Sequence, residues 1–418
     1  MSNKKIYPWV VLGLLWVVAV LNYMDRQVLS TMQPAMMGDI SELQSAVNFG
    51  RLMAIFLWVY GIVSPVAGAI ADRIDRKWLI TGSLFVWSGV ILLMGCATTF
   101  DQLYILRAVL GFSQAIYIPA GLALLVDYHG QKTRALAVGI HSIGLKTGSI
   151  LGGFGGAAAQ HYSWQTAFHW IGIVGMIYSV ALVIFLKEKR ERISKESVRN
   201  TDNQPSVVKS MSFLLSNIFF WVILLYFAVP SLPGWATKNW LPTLFSASLS
   251  LDMAQAGPLS TVTLTVSAFA GLIFGGMLSD RWIQTNLRGR IYTGAIGLGL
   301  MIPSLLLLGL GHSVVVIIGG ALCFGIGIGM LDANNMPILC QFVSSRYRAT
   351  AYGFMNMVGV FAGALITGLL GKSIDAGNLN TSFVLMAVAM LITLMVVVLF
   401  LRPKTREMED KNEKIMNN

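Results

Sequence analysis

The first hydrophobic run of the chain contains Asn22-Tyr23-Met24-Asp25-Arg26, with Ser30 four residues further on. Asn22, Arg26 and Ser30 fall at i, i+4 and i+8, so they share one face of a helix, and Asp25 borders it. An acid and a guanidinium inside an apolar segment are costly in lipid and by default mark a functional site. Apolar residues surround this patch, which turns it toward the interior of a bundle. The other reading places Asp25 and Arg26 at the outer end of the segment, in contact with water.

The fourth run carries Arg107 and, seven residues later on the same face, Gln114, with Tyr117 beyond. The fifth carries His141, Ser142 and Lys146, the lysine lying between Gly144 and Gly148. Lys146 is too far from either end of its run to snorkel. It faces a cavity or makes a structural ion pair. His141 is a hydrogen-bonded interior histidine or a proton carrier. In the second half, the seventh run ends in Pro233-Gly234-Trp235-Ala236-Thr237-Lys238-Asn239-Trp240-Leu241-Pro242, a sequence expected to unwind or bend a helix at a gate. Trp235 and Trp240 suit either sugar stacking or anchoring at a membrane interface. Asp332, Asn334, Asn335 and Asn356 place an acid and three amides in the tenth and eleventh runs. Amides donate and accept, which suits a hydroxyl-rich ligand, and they also bond helix to helix. Arg26, Arg107 and Lys146, together with Arg51 and Lys238, outnumber the interior acids Asp25 and Asp332. Such a cavity attracts an anion.

These residues must be positioned by membrane helices. The 418-residue chain is 55% hydrophobic and 12% charged, about half the charge of a soluble domain. Twelve apolar runs recur, at 8–30, 49–71, 78–98, 102–126, 134–159, 166–186, 214–242, 254–279, 291–311, 313–340, 348–371 and 381–401. Each is near the length that crosses a bilayer as a helix. None alternates as barrel strands do. The formal net charge is +11, but the cations occupy alternate connections, which is the positive-inside pattern and not a nucleic-acid surface. Both termini are therefore expected in the cytoplasm, and no cleavable signal peptide is expected. Cys96, Cys323 and Cys340 are scattered within spans and form neither a disulfide framework nor a metal site. The glycine-rich stretches lie inside spans with no strand before them, so they serve helix packing and not nucleotide binding. No cofactor is expected.

The polar segment from Lys187 to Ser210 separates six runs from six. The expected organisation is a six-helix bundle over 1–186, a cytoplasmic linker over 187–212, a second bundle over 213–402 and a cytoplasmic tail over 403–418. The halves echo each other. Gly68-Ala-Ile-Ala-Asp72-Arg73 matches Gly276-Met-Leu-Ser-Asp280-Arg281, and Arg134-Ala-Leu-Ala-Val-Gly139 matches Arg348-Ala-Thr-Ala-Tyr-Gly353. Two echoes at nearly one offset are the mark of a transporter built from repeats.

The loop Gly68-Ala-Ile-Ala-Asp72-Arg73-Ile-Asp75-Arg76-Lys77 resembles the G-x-x-x-D-R-x-x-R-[KR] signature of the major facilitator superfamily, and the likeness covers nearly the whole chain. It implies an all-α membrane protein of twelve transmembrane helices in two six-helix repeats. Gly68 would allow close helix approach. Asp72 would accept charge-assisted hydrogen bonds that latch the cytoplasmic face, with Arg73, Arg76, Asp280 and Arg281 in the same conformational machinery. A solvated, topology-setting loop accounts for Arg76 and Lys77 but not for the repeated spacing.

Asn22-Tyr23-Met24-Asp25-Arg26 is similar to the N-Y-x-D-R motif of the anion:cation symporter family, which includes carriers of sugar acids, hexuronates and sialic acids. Trp240-Leu241-Pro242-Thr243 and Gly353-Phe-Met-Asn356 resemble that family too. A spinster-like group of lipid transporters shares a similar first-span motif. The resemblance implies Arg26 as the ligand of a substrate carboxylate, Tyr23 and Asn356 as polar contacts, and Asp25 as the protonatable group. Arg107, Gln114, Lys146 and Asn335 complete the expected substrate site.

One departure stands out, because that family carries a proton-coupling glutamate where this chain has Gln114. Asp25 then couples alone, Asp332 substitutes, sodium drives transport, or transport is uncoupled. The reading that follows is a monomeric importer of a small carboxylated monosaccharide in the plasma (bacterial inner) membrane, working by alternating access with a co-transported proton, or sodium. A lipid or drug carrier is the alternative. Gly144-Leu-Lys-Thr-Gly148-Ser149 lacks the proline of the drug-antiporter motif. An enzyme would need a catalytic cluster or an extramembrane domain, and neither is evident.

Overall fold

A computed structural model describes residues 3–71, 74–130, 133–188, 207–311, 313–343 and 347–402. The described residues form helices and connecting turns. The first half comprises α1 (Asn3–Met36), a short 3₁₀ turn (Ser41–Gln44), α2 (Ala46–Ala71), α3 (Arg76–Met94), α4 (Phe100–Tyr128), α5 (Arg134–Gly153), α6 (Gly155–His161) and α7 (Trp164–Phe185). The second comprises α8 (Val207–Leu215), α9 (Ile218–Leu249), α10 (Met253–Trp282), α11 (Gly289–Leu310), α12 (Val314–Phe342), α13 (Arg348–Asp375) and α14 (Leu379–Phe400).

Eleven of these helices are long and apolar enough to cross a membrane among the described residues: α1 to α4, α7 and α9 to α14. The run expected at 134–159 is α5 followed by α6, broken at Phe154. Its arginine, histidine, lysine and many glycines make it too polar by composition to be counted with the others. Helix starts follow local chemistry. Thr99, Ser163 and Ser313 each accept a hydrogen bond from the backbone N–H three residues on, filling one of the donors that a helix start leaves open. The backbone of α9 is helical from Ile218 to Leu249, straight through Pro233 and Gly234. The unwinding expected there is not present. In lipid a helix keeps its own backbone bonds wherever it can.

The chain divides into two compact units. The first holds Met1–Arg192, Trp235–Thr265 and Gly363–Leu379; the second holds Ile193–Gly234, Val266–Ala362 and Asn380–Asn418. Helix α9 passes from one to the other between Gly234 and Trp235.

In the first unit α5 lies against α1 with its backbone almost in contact, and glycines permit it. A Cβ on Gly148 would overlap the carbonyl oxygen of Val20, and one on Gly152 would stand 2.7 Å from the carbonyl oxygen of Met24. This small-residue seam fixes the height and rotation of the segment that carries Asn22, Asp25 and Arg26. In the same unit the Asp375 carboxylate, at the end of α13, caps the start of α2. It accepts from Ser45 Oγ at 2.7 Å, Ala46 N at 2.8 Å and Val47 N at 3.0 Å. An anion at a helix N-terminus meets both open N–H donors and the positive end of the dipole.

Candidate functional site

Helix α1 supplies the centre. Asn22, Asp25, Arg26 and Gln27 are all buried, and Tyr23 is half-buried. Seven residues of α4 separate Arg107 from Gln114, two turns on one face, and both are buried as well. The Arg26 Nε–H donates to Gln114 Oε1 at 2.9 Å. That bond leaves one edge of the guanidinium occupied and Nη2 buried with no partner. Arg107 keeps Nε and Nη1 buried and without a partner.

A ring of aromatics encloses the Arg26 guanidinium. Its carbon lies 4.9 Å from the ring centre of Tyr23, 5.0 Å from that of Phe56 and 4.5 Å from that of Tyr60. Phe56 also receives Arg107 at 4.9 Å, so the two guanidinium groups share one phenyl ring. Helix α2 reaches this position because Gly111 of α4 abuts the Phe56 backbone, where a Cβ would stand 2.6 Å from the carbonyl oxygen. Each cation–π contact is worth about 0.5–2 kcal/mol. Three of them hold the guanidinium in place without neutralising it.

Asp25 lies in the field of Arg107 and, more weakly, of Arg26. Neither arginine comes within the 4.0 Å of a contact ion pair, and Asp25 Oδ1 is buried without a hydrogen-bond partner. Burying an unpaired carboxylate is expensive, so such a group is poised to take up a proton or a cation. Both side-chain polar atoms of Asn22 are likewise buried and unpartnered.

Next to Arg26, Gln27 Nε2 donates to Ser30 Oγ at 2.7 Å and to the backbone carbonyl of Lys238 at 3.0 Å. This staples the Trp235–Leu249 part of α9 to α1. The Lys238 ammonium then lies 4.3 Å from the Tyr23 ring centre and 4.7 Å from that of Trp235. Trp240 is buried against Phe49, ring centres 5.8 Å apart, with Nε1 donating to the Thr367 carbonyl at 3.3 Å. It is a packing residue. Lys146 is half-buried on α5 and lies in the field of Lys238. His141 is buried, with Nε2 2.8 Å from Tyr117 Oη, whose hydroxyl donates to the Leu15 carbonyl at 2.9 Å.

The structure thus brings Tyr23, Asp25, Arg26, Arg107 and Gln114 together, with Lys146 nearby. The other residues singled out in the sequence lie elsewhere. Asn335, half-buried in the second unit, donates to Asp332 Oδ1 at 3.4 Å, and Asn356 of the same unit is exposed. Arg51 is exposed and sits 5.8 Å from the ring centres of both Phe100 and Tyr104. Of the loop motif, Gly68 belongs to the backbone of α2, Arg76 pairs with Asp127, and Asp72 and Arg73 lie outside the described residues. Asp280 and Arg281 are exposed at the end of α10. Phe56 and Tyr60 were missed in the sequence. Two aromatics four residues apart in an apolar run carry no chemical signal until a cation is placed beside them.

The family model described as Major Facilitator Superfamily matches residues 15–367. The chain belongs to that superfamily. Among curated relatives of this superfamily member is the hexuronate transporter of Escherichia coli (strain K12), 26% identical over 410 residues, covering 93% of this chain and 92% of the relative. Another is the probable galactarate/D-glucarate transporter of the same strain, 23% identical over 413 residues, covering 90% and 91%. Among solved structures, a bacterial homologue of the human lysosomal transporter Spinster, inward-facing and unoccupied, aligns with a TM-score of 0.79 at 19% identity. It covers 94% of this chain and 96% of its own, a likeness of fold. The protein is a multi-pass membrane transporter and not an enzyme.

Proposed function

We propose that this transporter imports a small carboxylated sugar, with Arg26 as the ligand of the carboxylate and a proton as the co-transported ion. The observation that carries the reading is the Arg26 guanidinium, buried inside three aromatic rings and hydrogen-bonded to a neutral amide. A glutamate at position 114 would cancel the charge of Arg26. Gln114 instead orients the guanidinium through Nε and leaves its positive charge for a ligand. Arginine's planar fork matches the two oxygens of a carboxylate, and charge-assisted bonds are about twice as strong as neutral ones. The relatives that carry hexuronates and galactarate or D-glucarate support the same chemical class.

Asp25 is the proton site of this reading. Among the described residues it is the acid beside the two arginines on α1 and α4 in the first unit; it forms no contact ion pair, and its Oδ1 is buried without a partner. A proton on Asp25 would leave both guanidinium charges available to an anion. Release of that proton would let the carboxylate compete for them. Binding of anion and proton is then mutually favourable, which is the requirement for symport. Transport proceeds by alternating access, with both termini in the cytoplasm and the protein in the inner membrane as a monomer. Uptake of labelled galacturonate into proteoliposomes, driven in turn by a proton gradient, a sodium gradient and neither, tests this. The proton gradient is expected to drive accumulation; accumulation on sodium alone would overturn the coupling.

A further inference from the structure

Four cationic side chains converge on α1 in the first unit, and the function proposed above uses two. Lys238 and Lys146 are left over. The Lys238 ammonium and the Arg26 guanidinium lie on the same Tyr23 ring, 4.3 Å and 4.9 Å from its centre. Their charged centres are therefore separated by no more than the sum of these two distances, and they share one aromatic ring. Neither lysine ammonium has a hydrogen bond or ion pair among the described residues. Arg26 and Lys146 are the cations nearest in effect to Lys238.

Like charges gathered this way repel, and among the described residues no acid forms an ion pair with them. Asp25 is nearer in effect to Arg107 than to Arg26. Several other described acids of the unit have other duties: Asp375 caps α2, Glu188 accepts from Lys77 N at 2.8 Å, Asp39 accepts from Trp164 Nε1 at 2.6 Å, Asp127 pairs with Arg76 and Asp252 accepts from Gln255 N at 2.9 Å. The position of Lys238 is also built and not accidental. Gln27 holds its carbonyl, and the next residue, Asn239, donates from Nδ2 to Thr367 Oγ1 at 2.8 Å.

We infer that Lys238, assisted by Lys146, is a second anion anchor, and that the preferred substrate is a polyhydroxy acid with a carboxylate at each end. This rests on Arg26 holding the first carboxylate. One carboxylate would answer Arg26 and leave the lysines uncompensated. A six-carbon diacid is long enough to span Tyr23, with one terminus on each cation and its apolar C–H edge on the ring.

The test is competition for uptake of labelled galacturonate by the full-length transporter in proteoliposomes, with unlabelled galactarate (two carboxylates) against unlabelled galacturonate (one). Wild type is expected to be inhibited by galactarate at a concentration at least tenfold lower than by galacturonate. In Lys238→Met that preference is expected to fall by tenfold or more, and Lys238→Arg is expected to restore most of it. Equal potency of the two acids in wild type overturns the inference by itself, whatever the variants do. A preference that survives both Lys238→Met and Lys146→Gln overturns the assignment of the anchor. If neither labelled galacturonate nor labelled galactarate is taken up, the sugar-acid reading fails and the inference falls with it. That result is distinct from uptake of galacturonate without a galactarate preference.

Discussion

The two halves of the chain repeat one plan but fill it with different chemistry. In the first unit α1 and α4 bury Asn22, Asp25, Arg26, Arg107 and Gln114, and nearly every one of these has a polar atom with no partner. In the second unit the corresponding α9 and α12 carry Tyr226, Asp332, Asn334 and Asn335. There Asn334 Nδ2 donates to the Met330 carbonyl at 2.9 Å and Asn335 to Asp332 at 3.4 Å, and the buried atoms without a partner, Tyr226 Oη and Asn334 Oδ1, belong to neutral groups. Asp332 is exposed, whereas Asp25 is buried. Unpartnered buried charge is costly, while a satisfied amide is not. In the reading proposed above, charge recognition falls to the first unit, where the buried charges lie.

The contrast can be broken most strongly at Arg26. Arg26→Ala removes the anchor and leaves Gln114 and Asp25 without it. Truncating one partner of a buried charge pair costs about 2–5 kcal/mol, so galacturonate affinity is expected to fall by about 30-fold to 4,000-fold. Asp332→Asn in the second half is expected to change it by less than about threefold, and equal losses at the two sites would erase the distinction. Asp25→Asn separates coupling from binding. Accumulation driven by a proton gradient is expected to be lost, while exchange of internal for external sugar acid persists.

Gln114→Glu reverses the neutrality that this reading needs. A carboxylate at that place would pair with Arg26 and compete with the substrate, lowering affinity by about tenfold, the equivalent of one charge-assisted bond. It would also add a second proton site, so the pH dependence of uptake is expected to steepen. An unchanged affinity and an unchanged pH profile would show that Gln114 is not the partner that sets the charge of Arg26. The smallest effect expected is on stability alone. Gly148→Ala puts a Cβ onto the Val20 carbonyl and should destabilise the first unit by about 1–3 kcal/mol. A thermal melt in detergent reads this as a lower unfolding temperature.

Much of this was legible in the sequence because helical periodicity and the cost of charge in lipid do not depend on tertiary detail. The i, i+4 spacing of Asn22 and Arg26 and the seven-residue spacing from Arg107 to Gln114 put these residues on single faces before any packing was known. The run of apolar segments gave the membrane architecture. What stayed hidden needs two segments far apart in the chain to meet. Phe56 and Tyr60 became a cage only when Gly111 let α2 close on α4. Lys238 joined Tyr23 only through the bond from Gln27 to its carbonyl. The proline and glycine at 233–234 suggested that the helix unwinds or bends there, and its backbone stays helical through them.

The central claim is that the carboxylate, and not the sugar ring, is what the first half recognises. The direct measurement is competition between galacturonate and its neutral counterpart galactose for uptake of labelled galacturonate in proteoliposomes. Galacturonate is expected to compete at least 100-fold better than galactose in wild type, with the gap collapsing in Arg26→Ala. Equal competition by galactose in wild type would contradict the account.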